Sequence, residues 1–534
     1  MLCAGVALDS LALTLPGMLA AQARALGSSP ALIYRDRPIS YAELATMASR
    51  LAGGLRDLGV CAGDRVAIWL PNTPAWIASL FACARLGAIA IAANTRFRSD
   101  EMADILGRSA PKVLLLWPGF RHVDFLSILE DVSSDALQSL TAIVAYGESE
   151  EQLLPTRFRG IPVHNFAALI DRTPLEESVA APGAGCVIFT TSGTTRAPKF
   201  VLHHQASIAR HAGDIARAFG LDAPDARILL TLPLCGVFGL GNAMGALAAG
   251  RPLVMLPTFD AAAAAHAIHR YRVTHFPAAG DVVAQLLATS GKERAFPSVR
   301  LVIGARTGQA APAQACGLTL IGVYGMSEIQ AMVSRHSETA PPEQRELGGG
   351  VMIAFDGAVR ARDPATGAIL GHGASGELEF RTPSQMAGYF GDPGATAAVF
   401  TSDGFVRSGD LGYTVAGGEF VFQSRMGDAL RLSGFLVNPL EIEAVLDSHP
   451  AVRASQVVGI DGPRGVRPVA FVIPEAGHAF DEAGLIAHCA RRIAKFKVPE
   501  RALPIDAFPV TPSANGNKIQ KAKLREIALA ALNR

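Results

Sequence analysis

Between Thr190 and Lys199 the chain reads Thr-Thr-Ser-Gly-Thr-Thr-Arg-Ala-Pro-Lys, which places five hydroxyl side chains, a glycine and a lysine in one short segment. Hydroxyls and exposed backbone N–H groups can wrap phosphate oxygens, and Lys199 adds a positive charge. Ordinary polar turns use the same residue types, so composition alone leaves both readings open. The segment lacks the Gly-Lys-Ser/Thr ending of a Walker A loop. Four later segments also carry chemically useful side chains: Tyr324-Gly-Met-Ser-Glu328, Ser408-Gly-Asp410, Arg425-Met-Gly-Asp428, and Pro509-Val-Thr511 followed by Gly516-Asn-Lys518-Ile519. Each is weak alone, because an acidic residue after a glycine is usually a solvated turn.

The elements around these segments predict where they lie. Asp64–Leu70, Ala88–Ile91, Val187–Phe189, Ile228–Leu232, Leu253–Leu256, Leu301–Ile303 and Leu318–Ile321 read as short apolar strands, and Ala75–Leu86 reads as a helix. Ile208, Ala212, Ile215 and Phe219 fall on one helical face. Alternation of this kind predicts mainly parallel sheets covered on both faces. Ligands in such sheets sit beyond the carboxyl ends of the strands, which is where Thr190–Lys199 falls. From about Gly348 turns such as Asp403-Gly404 and Gly417-Gly418 predict antiparallel β-structure. Asn438-Pro439-Leu440-Glu441 is a helix start. Val452–Ile460 and Pro468–Ile473 read as strands, and Asp481–Ala494 as a helix. The expected fold is α/β: a large N-terminal domain, residues 1–424, of mainly parallel sheets flanked by helices plus a β-rich subdomain, and a small α+β C-terminal unit, residues 425–534.

Length and composition agree with this. A chain of 534 residues exceeds one simple core. Lys plus Arg number 48 against 47 Asp plus Glu, a net charge of +1, so charge gives no reason to expect a nucleic acid or an anionic membrane as partner. Half the residues are hydrophobic and 18% are charged, which argues against disorder. The seven cysteines form no CxxC pair, and a reducing cytoplasm is the expected location. Asp9 and Pro16 interrupt the mildly apolar N-terminus, no basic n-region precedes it, and no apolar run is long enough to span a bilayer. A signal peptide and an integral membrane protein are therefore not expected.

The five segments, in this order, resemble those of the adenylate-forming superfamily: acyl-CoA synthetases, peptide-synthetase adenylation domains and luciferases. The first is similar to the phosphate-binding signature Thr-Ser-Gly-Thr-Thr-Gly-x-Pro-Lys-Gly. The resemblance implies that ATP activates a small-molecule carboxylic acid as an acyl-adenylate, releasing pyrophosphate, and that the acyl group passes to a thiol, that of coenzyme A. It implies that Thr191, Ser192, Gly193, Thr194, Thr195 and Lys199 hold phosphates, and that Thr194 and Glu328 hold Mg²⁺. Ser327 would contact the α-phosphate. Tyr324, followed by Gly325, would stack on adenine near Gly304, Ala305 and Arg306. Asp410 would accept both ribose hydroxyls, and Arg425 would add a nucleotide contact. Lys518 would bridge the carboxylate and the α-phosphate, forming the catalytic set with Glu328 and Thr194. The C-terminal unit would act as a lid turning about Gly427, in a position usually Asp or Lys, and would open a coenzyme A path past Gly434.

The chain departs from the pattern in several places. Arg196 and Phe200 stand where glycines are usual, and both remove backbone freedom. Asn517 separates Gly516 from Lys518, which leaves Lys521 and Lys523 as alternatives. Cys235 and Gly236 replace an aromatic residue and a histidine, so an acyl pocket of Cys235, Gly236, Val237 and Phe238 gains room. His275–Gly280 and Gly304 are further pocket candidates, and His203 or His204 either lines the acyl tunnel or is an ordinary helix-start residue. No obvious cation awaits a second carboxylate, which favours a fatty, alicyclic or aromatic monoacid. Three other readings stand beside this one. Transfer could go to the phosphopantetheine of a separate carrier protein. The chain could be a degenerate binding protein, although Glu328, Asp410, Arg425 and Lys518 all remain. Finally, Gly239-Leu-Gly241-Asn-Ala-Met-Gly245, with Asp260 further on, could mark an NAD(P)-dependent oxidoreductase.

Overall fold

Runs of Val, Leu, Ile and Ala bounded by turns form strands buried along their whole length, as at Ile89–Ala92, Val113–Leu116 and Ala142–Ala145. Such runs need cover on both faces, and helices provide it. The fold is that of a computed structural model, which describes residues 13–148, 155–190, 198–279, 281–290, 295–305, 310–345, 347–428, 430–432, 435–462, 465–493, 495–513 and 516–532. It is mixed α/β and divides into two compact units, residues 1–357 with 381–406, and residues 358–380 with 407–534.

In the first unit one sheet runs, edge to edge, through Gly388–Tyr389, Phe200–His204, Gly185–Thr190, Ile89–Ala92, Arg65–Trp69, Val113–Leu116, Ala142–Ala145, Ile161–Asn165 and Arg157–Phe158. Its middle strands, from Gly185–Thr190 to Ile161–Asn165, are parallel. A second parallel array orders Leu320–Met326, Leu301–Ala305, His275–Ala279, Ile228–Leu230, Leu253–Met255 and Pro30–Tyr34. The helices Pro74–Arg85, Gln205–Ala218 and Val237–Ala248 share one buried cluster with both sheets, meeting Ile68 and Val187 of one and Leu230 and Ile303 of the other.

Apart from the terminal residues Arg381 and Val406, the second unit holds the strands Ala358–Arg362, Gly376–Arg381, Val406–Thr414 and Glu419–Arg425. It continues with a three-stranded sheet of Val452–Gly462, Gly465–Pro474 and Arg501–Pro504, covered by the helices Pro439–Asp447, Glu482–Ala490 and Lys521–Leu532. A hairpin, Val510–Ser513 with Gly516–Ile519, sits near the C-terminus. Asn438 caps its helix as expected, accepting from the Leu440 N–H.

Two expectations are corrected. The helix read over Asp481–Ala494 ends at Ala490, where the Arg492 and Ile493 N–H groups both turn back to the Cys489 carbonyl. The glycines from Gly239 to Gly245 lie inside the helix Val237–Ala248 rather than in a loop before one. A Cβ at Gly239 would sit 2.1 Å from the Pro233 carbonyl oxygen, and one at Gly245 would sit 2.6 Å from Ile215 Cγ2, so these glycines permit close packing. Asp260 caps the next helix by accepting from the Ala263 N–H. The arrangement needed for a dinucleotide fingerprint is absent there, and the oxidoreductase reading falls with it.

Candidate active site

The hydroxyl-rich segment joins two antiparallel strands, Gly185–Thr190 and Phe200–His204, closed by the pair Thr190–Phe200. Thr191, Ser192, Gly193, Thr194, Thr195 and Arg196 lie outside the described residues, as do Gly280, Arg306 and Gly434. Lys199 is exposed, and its Nζ stands 4.5 Å from the centroid of the Tyr389 ring. Tyr389 is brought there because Gly388–Tyr389 adds an edge strand to Phe200–His204, with Tyr389 opposite Val201. Its hydroxyl donates to Glu328 Oε1 at 2.7 Å. A cation, a phenol and a carboxylate from three distant parts of the sequence thus converge beyond the strand Gly185–Thr190.

Glu328 is placed by a tight hairpin. Leu320–Met326 returns as Gln330–Arg335 with Met326 opposite Gln330, so Ser327, Glu328 and Ile329 form the turn. Gly325 makes that turn possible, because a Cβ there would lie 2.5 Å from both Ala331 Cα and the Gln330 carbonyl oxygen. Gln330 and Met332 have φ of +67° and +62°, a conformation that side chains other than glycine adopt at a cost and only when their surroundings hold them. Met332 is held in the apolar cluster with Ile215 and Phe238, and the neighbouring backbone is held by polar side chains. Gln330 Nε2 donates to the Ser207 and Ser384 carbonyls at 3.0 and 3.1 Å. His211 Nε2 donates to the Ala331 carbonyl at 2.6 Å, and His203 Nε2 donates to the Ser327 carbonyl at 2.7 Å. Burial lowers both imidazoles to about 4, so each is neutral near pH 7 with its proton on Nε2. His203 therefore braces the Ser327 turn from behind. Tyr324, 5% exposed, precedes the same turn, and on the next strand Gly304 pairs with Gly322.

Asn72 fixes the backbone that leads to Cys235: its Nδ2 donates to the Leu232 carbonyl at 3.0 Å and its Oδ1 accepts the Leu234 N–H at 2.8 Å. Cys235 follows, and Gly236 is the N-cap of the helix that begins with Val237 and buried Phe238. Burial pushes the Cys235 thiol up to about 12, so it is no nucleophile at neutral pH. Register sets Ala278 beside Gly304 and Ala279 beside Ala305. His275 starts that strand, about 13 Å from Ala279 at strand rise, and so belongs to the opposite end from these residues.

In the second unit Asp410 and Arg425 face each other across Val406–Thr414 and Glu419–Arg425, with Arg425 Nε 3.0 Å from Asp410 Oδ1. Asp410 is 2% exposed, whereas the Arg425 side chain is 56% exposed. The turn before Asp410 is tied down: Gly409, at φ +66°, donates its N–H to Glu377 Oε1, and Arg425 Nη1 donates to the Ser408 carbonyl. Lys518 lies in the C-terminal hairpin opposite Thr511. Of the alternatives, Lys523 is exposed, and Lys521 is engaged with buried Glu443, Nζ to Oε1 3.4 Å. Lys521→Ala is expected to lower Tm, costing about 1–3 kcal/mol for the buried carboxylate it abandons, while turnover of the folded enzyme stays unchanged. Thermal denaturation and a rate assay on the folded fraction check this.

A family model described as "AMP-binding enzyme" matches residues 19–390, and one described as "AMP-binding enzyme C-terminal domain" matches residues 441–515. The chain belongs to the AMP-binding enzyme family. Its relatives include an indoleacetate–CoA ligase of Aromatoleum aromaticum, 31% identical over 93% of this chain and 94% of that one. A Mycobacterium tuberculosis CoA ligase for a methyl-dioxo-octahydro-indenyl propanoyl group is 30% identical over 96% and 99%. Among solved structures, ATP-bound MatB of Rhodopseudomonas palustris has a TM-score of 0.82 at 23% identity, covering 96% of this chain and 98% of that one, a likeness of fold. The o-succinylbenzoate CoA synthetase of Bacillus subtilis with its acyl-adenylate intermediate has a TM-score of 0.77 at 25% identity, covering 95% and 97%.

No cluster of three or more His, Cys, Asp or Glu able to hold a metal occurs among the described residues. Mg²⁺ is commonly held by one or two carboxylates together with substrate phosphates, so the single carboxylate of Glu328 fits that ion. Tyr389, Gln330 and His211 escaped the sequence reading. Tyr389 and Gln330 sit in ordinary-looking contexts, and only strand pairing and backbone conformation show what they hold.

Proposed function

We propose that this AMP-binding enzyme is an acyl-CoA synthetase for a ring-bearing monocarboxylic acid. It activates the acid with ATP and passes the acyl group to coenzyme A. A carboxylate oxygen attacks the α-phosphorus, the bond to the β-phosphate oxygen breaks, and pyrophosphate leaves with the electron pair. The thiolate of coenzyme A then attacks the acyl carbon and AMP departs. The observation that carries this reading is the convergence of Lys199, Tyr389 and Glu328 beside the Ser327 turn, which supports a site where one cation and one oriented carboxylate meet the phosphates of ATP. Both reactants are anionic, so catalysis rests on neutralising charge and holding an in-line geometry.

In this account Thr191–Thr195 and Lys199 hold the phosphates. Thr194 and Glu328 would hold Mg²⁺, which draws charge from the phosphate oxygens when bound. Ser327 contacts the α-phosphate, Tyr324 stacks on adenine beside Gly304, Ala305 and Arg306, and Asp410 and Arg425 take the ribose side. Lys518 serves the first step. The acid class is supported by the ring-bearing substrates named for the relatives and by the small residues Cys235 and Gly236. Free coenzyme A, rather than a carrier-protein thiol, is the acceptor. Among the described residues no helix is long and apolar enough to cross a membrane, and six cysteines are unpaired, which suits the cytoplasm. A screen of acid-dependent ATP–pyrophosphate exchange across fatty, aromatic and alicyclic acids tests the reading. Exchange with none of them would end it.

The functional domains are residues 1–424 and 425–534, and Gly427 is the hinge between the two half-reactions, with Gly434 on the thiol path. Nothing lies within 4 Å of a Cβ placed on Gly427, and its φ lies outside the left-handed region. Alanine is therefore tolerated in the conformation described. Gly427→Ala is expected to keep its Tm and to slow one half-reaction, because a hinge turn through left-handed φ costs alanine about 1–2 kcal/mol. Wild-type rates in both half-reactions would remove residue 427 from the hinge.

A further inference from the structure

Phe200 replaces a glycine at the end of the phosphate-binding segment, and its surroundings show what the replacement does. The ring is 2% exposed and packs in the cluster formed by Ile105, Ile188 and Leu116. Over its face lies the Arg108 guanidinium, Cζ 4.0 Å from the ring centroid. Arg108 comes from the helix Ser99–Ser109 and is held by a bidentate pair with Asp104, Nε to Oδ1 and Nη2 to Oδ2 both at 2.7 Å. The same Nη2 donates to the Pro198 carbonyl at 2.5 Å. One planar side chain therefore grips this stretch at two points, the peptide after Pro198 and the ring of Phe200, with Lys199 between them. A guanidinium can do both at once because it stacks through its face and donates through its edge.

We infer that Arg108 and Phe200 form a clamp on the C-terminal leg of the phosphate-binding segment, and that Arg108 is a positioning residue that presents Lys199 to the phosphates of ATP. The inference rests on the proposed function for the identity of the ligand. Where a glycine would leave this leg free to rotate, the stacked pair holds it in one conformation before ATP arrives, so less ordering is left for binding to supply. The clamp serves only the step that uses the pyrophosphate end of the nucleotide. Acyl-adenylate lacks those phosphates, and its reaction with coenzyme A needs no clamp.

The test uses the full chain with Arg108→Ala and Arg108→Lys, changes at a part-exposed side chain that leave the buried Phe200 ring in place. Three readouts are compared with wild type: the ATP KM in acid-dependent pyrophosphate exchange, thioester formation from supplied acyl-adenylate, and trypsin cleavage after Lys199. Arg108→Ala is expected to raise the ATP KM about tenfold, the loss of one charge-assisted hydrogen bond and its stacking. Lysine, which keeps the charge and loses the fork, should restore only part of it. Thioester formation should stay at the wild-type rate, and cleavage after Lys199 should quicken. An unchanged ATP KM with unchanged cleavage overturns the clamp, and so does an equal fall in both half-reactions, which marks a merely structural role. Should wild type show no acid-dependent exchange at all, the functional reading fails, and the cleavage comparison still decides whether Arg108 holds this leg.

Discussion

Lys518→Ala should lower acyl-adenylate formation by about 10²–10³, the usual cost of one donor aimed at charge that builds in the transition state. Thioester formation from supplied acyl-adenylate should continue near the wild-type rate. As the carboxylate oxygen approaches the α-phosphorus, negative charge crowds the forming and breaking bonds, and an ammonium that touches both reactants neutralises it and aligns them. The second step has no such need, because the thiolate attacks the acyl carbon of an ester already activated by AMP, and the α-phosphorus is no longer the reacting centre. The hairpin Val510–Ser513 with Gly516–Ile519 gives Lys518 a defined backbone, paired with Thr511, despite the extra Asn517. The nearby alternatives are exposed Lys523 and Lys521, which is engaged with Glu443. Single-turnover measurement of adenylate and of thioester separates the steps. Wild-type adenylation in the variant would pass the role to another lysine.

Asp410→Ala should weaken ATP binding by about 10² or more, since hydrogen bonds from two ribose hydroxyls to a carboxylate contribute about 1.5–3 kcal/mol each. The expected loss lies below the sum, because in the free enzyme Asp410 already pairs with Arg425 and must share that contact on binding. The substitution also frees Arg425, whose side chain is 56% exposed and can turn to water, so the fold should lose little. Asp410→Asn keeps the shape and loses the charge, and should fall between alanine and wild type. Titration calorimetry with ATP checks both. An unchanged affinity would take Asp410 out of the nucleotide site.

Much of the fold was legible because buried parallel strands announce themselves: Ile228–Leu230 and Leu301–Ala305 are apolar runs with no polar alternation to misplace them. The helix at Asn438-Pro439 was legible because capping chemistry is local. The glycines from Gly239 to Gly245 misled because a glycine needed for close helix packing looks, in sequence, like a glycine needed for a turn. The candidate site was legible where a segment contains its own chemistry, as Ser408-Gly-Asp410 does. It was illegible where the chemistry depends on a partner far along the chain. Tyr389 lies 61 residues from Glu328, whose carboxylate it holds, and His203 lies 124 residues from the Ser327 carbonyl it braces. Phe200 read as a lost glycine, and the guanidinium that stacks on it comes from a helix whose sequence gave no reason to look there.

In the proposed mechanism the acid is joined to AMP through one of its own oxygens. The measurement that tests it uses an accepted acid carrying ¹⁸O in both carboxylate positions, with ATP, Mg²⁺ and coenzyme A, and mass analysis of the products. Attack on the α-phosphorus makes one carboxylate oxygen the bridge of the adenylate, and thiol attack at the acyl carbon leaves that oxygen on phosphorus. AMP should bear one ¹⁸O, pyrophosphate none, and acyl-CoA should retain the other label. Label in inorganic phosphate with formation of ADP, or AMP released without label, would contradict it.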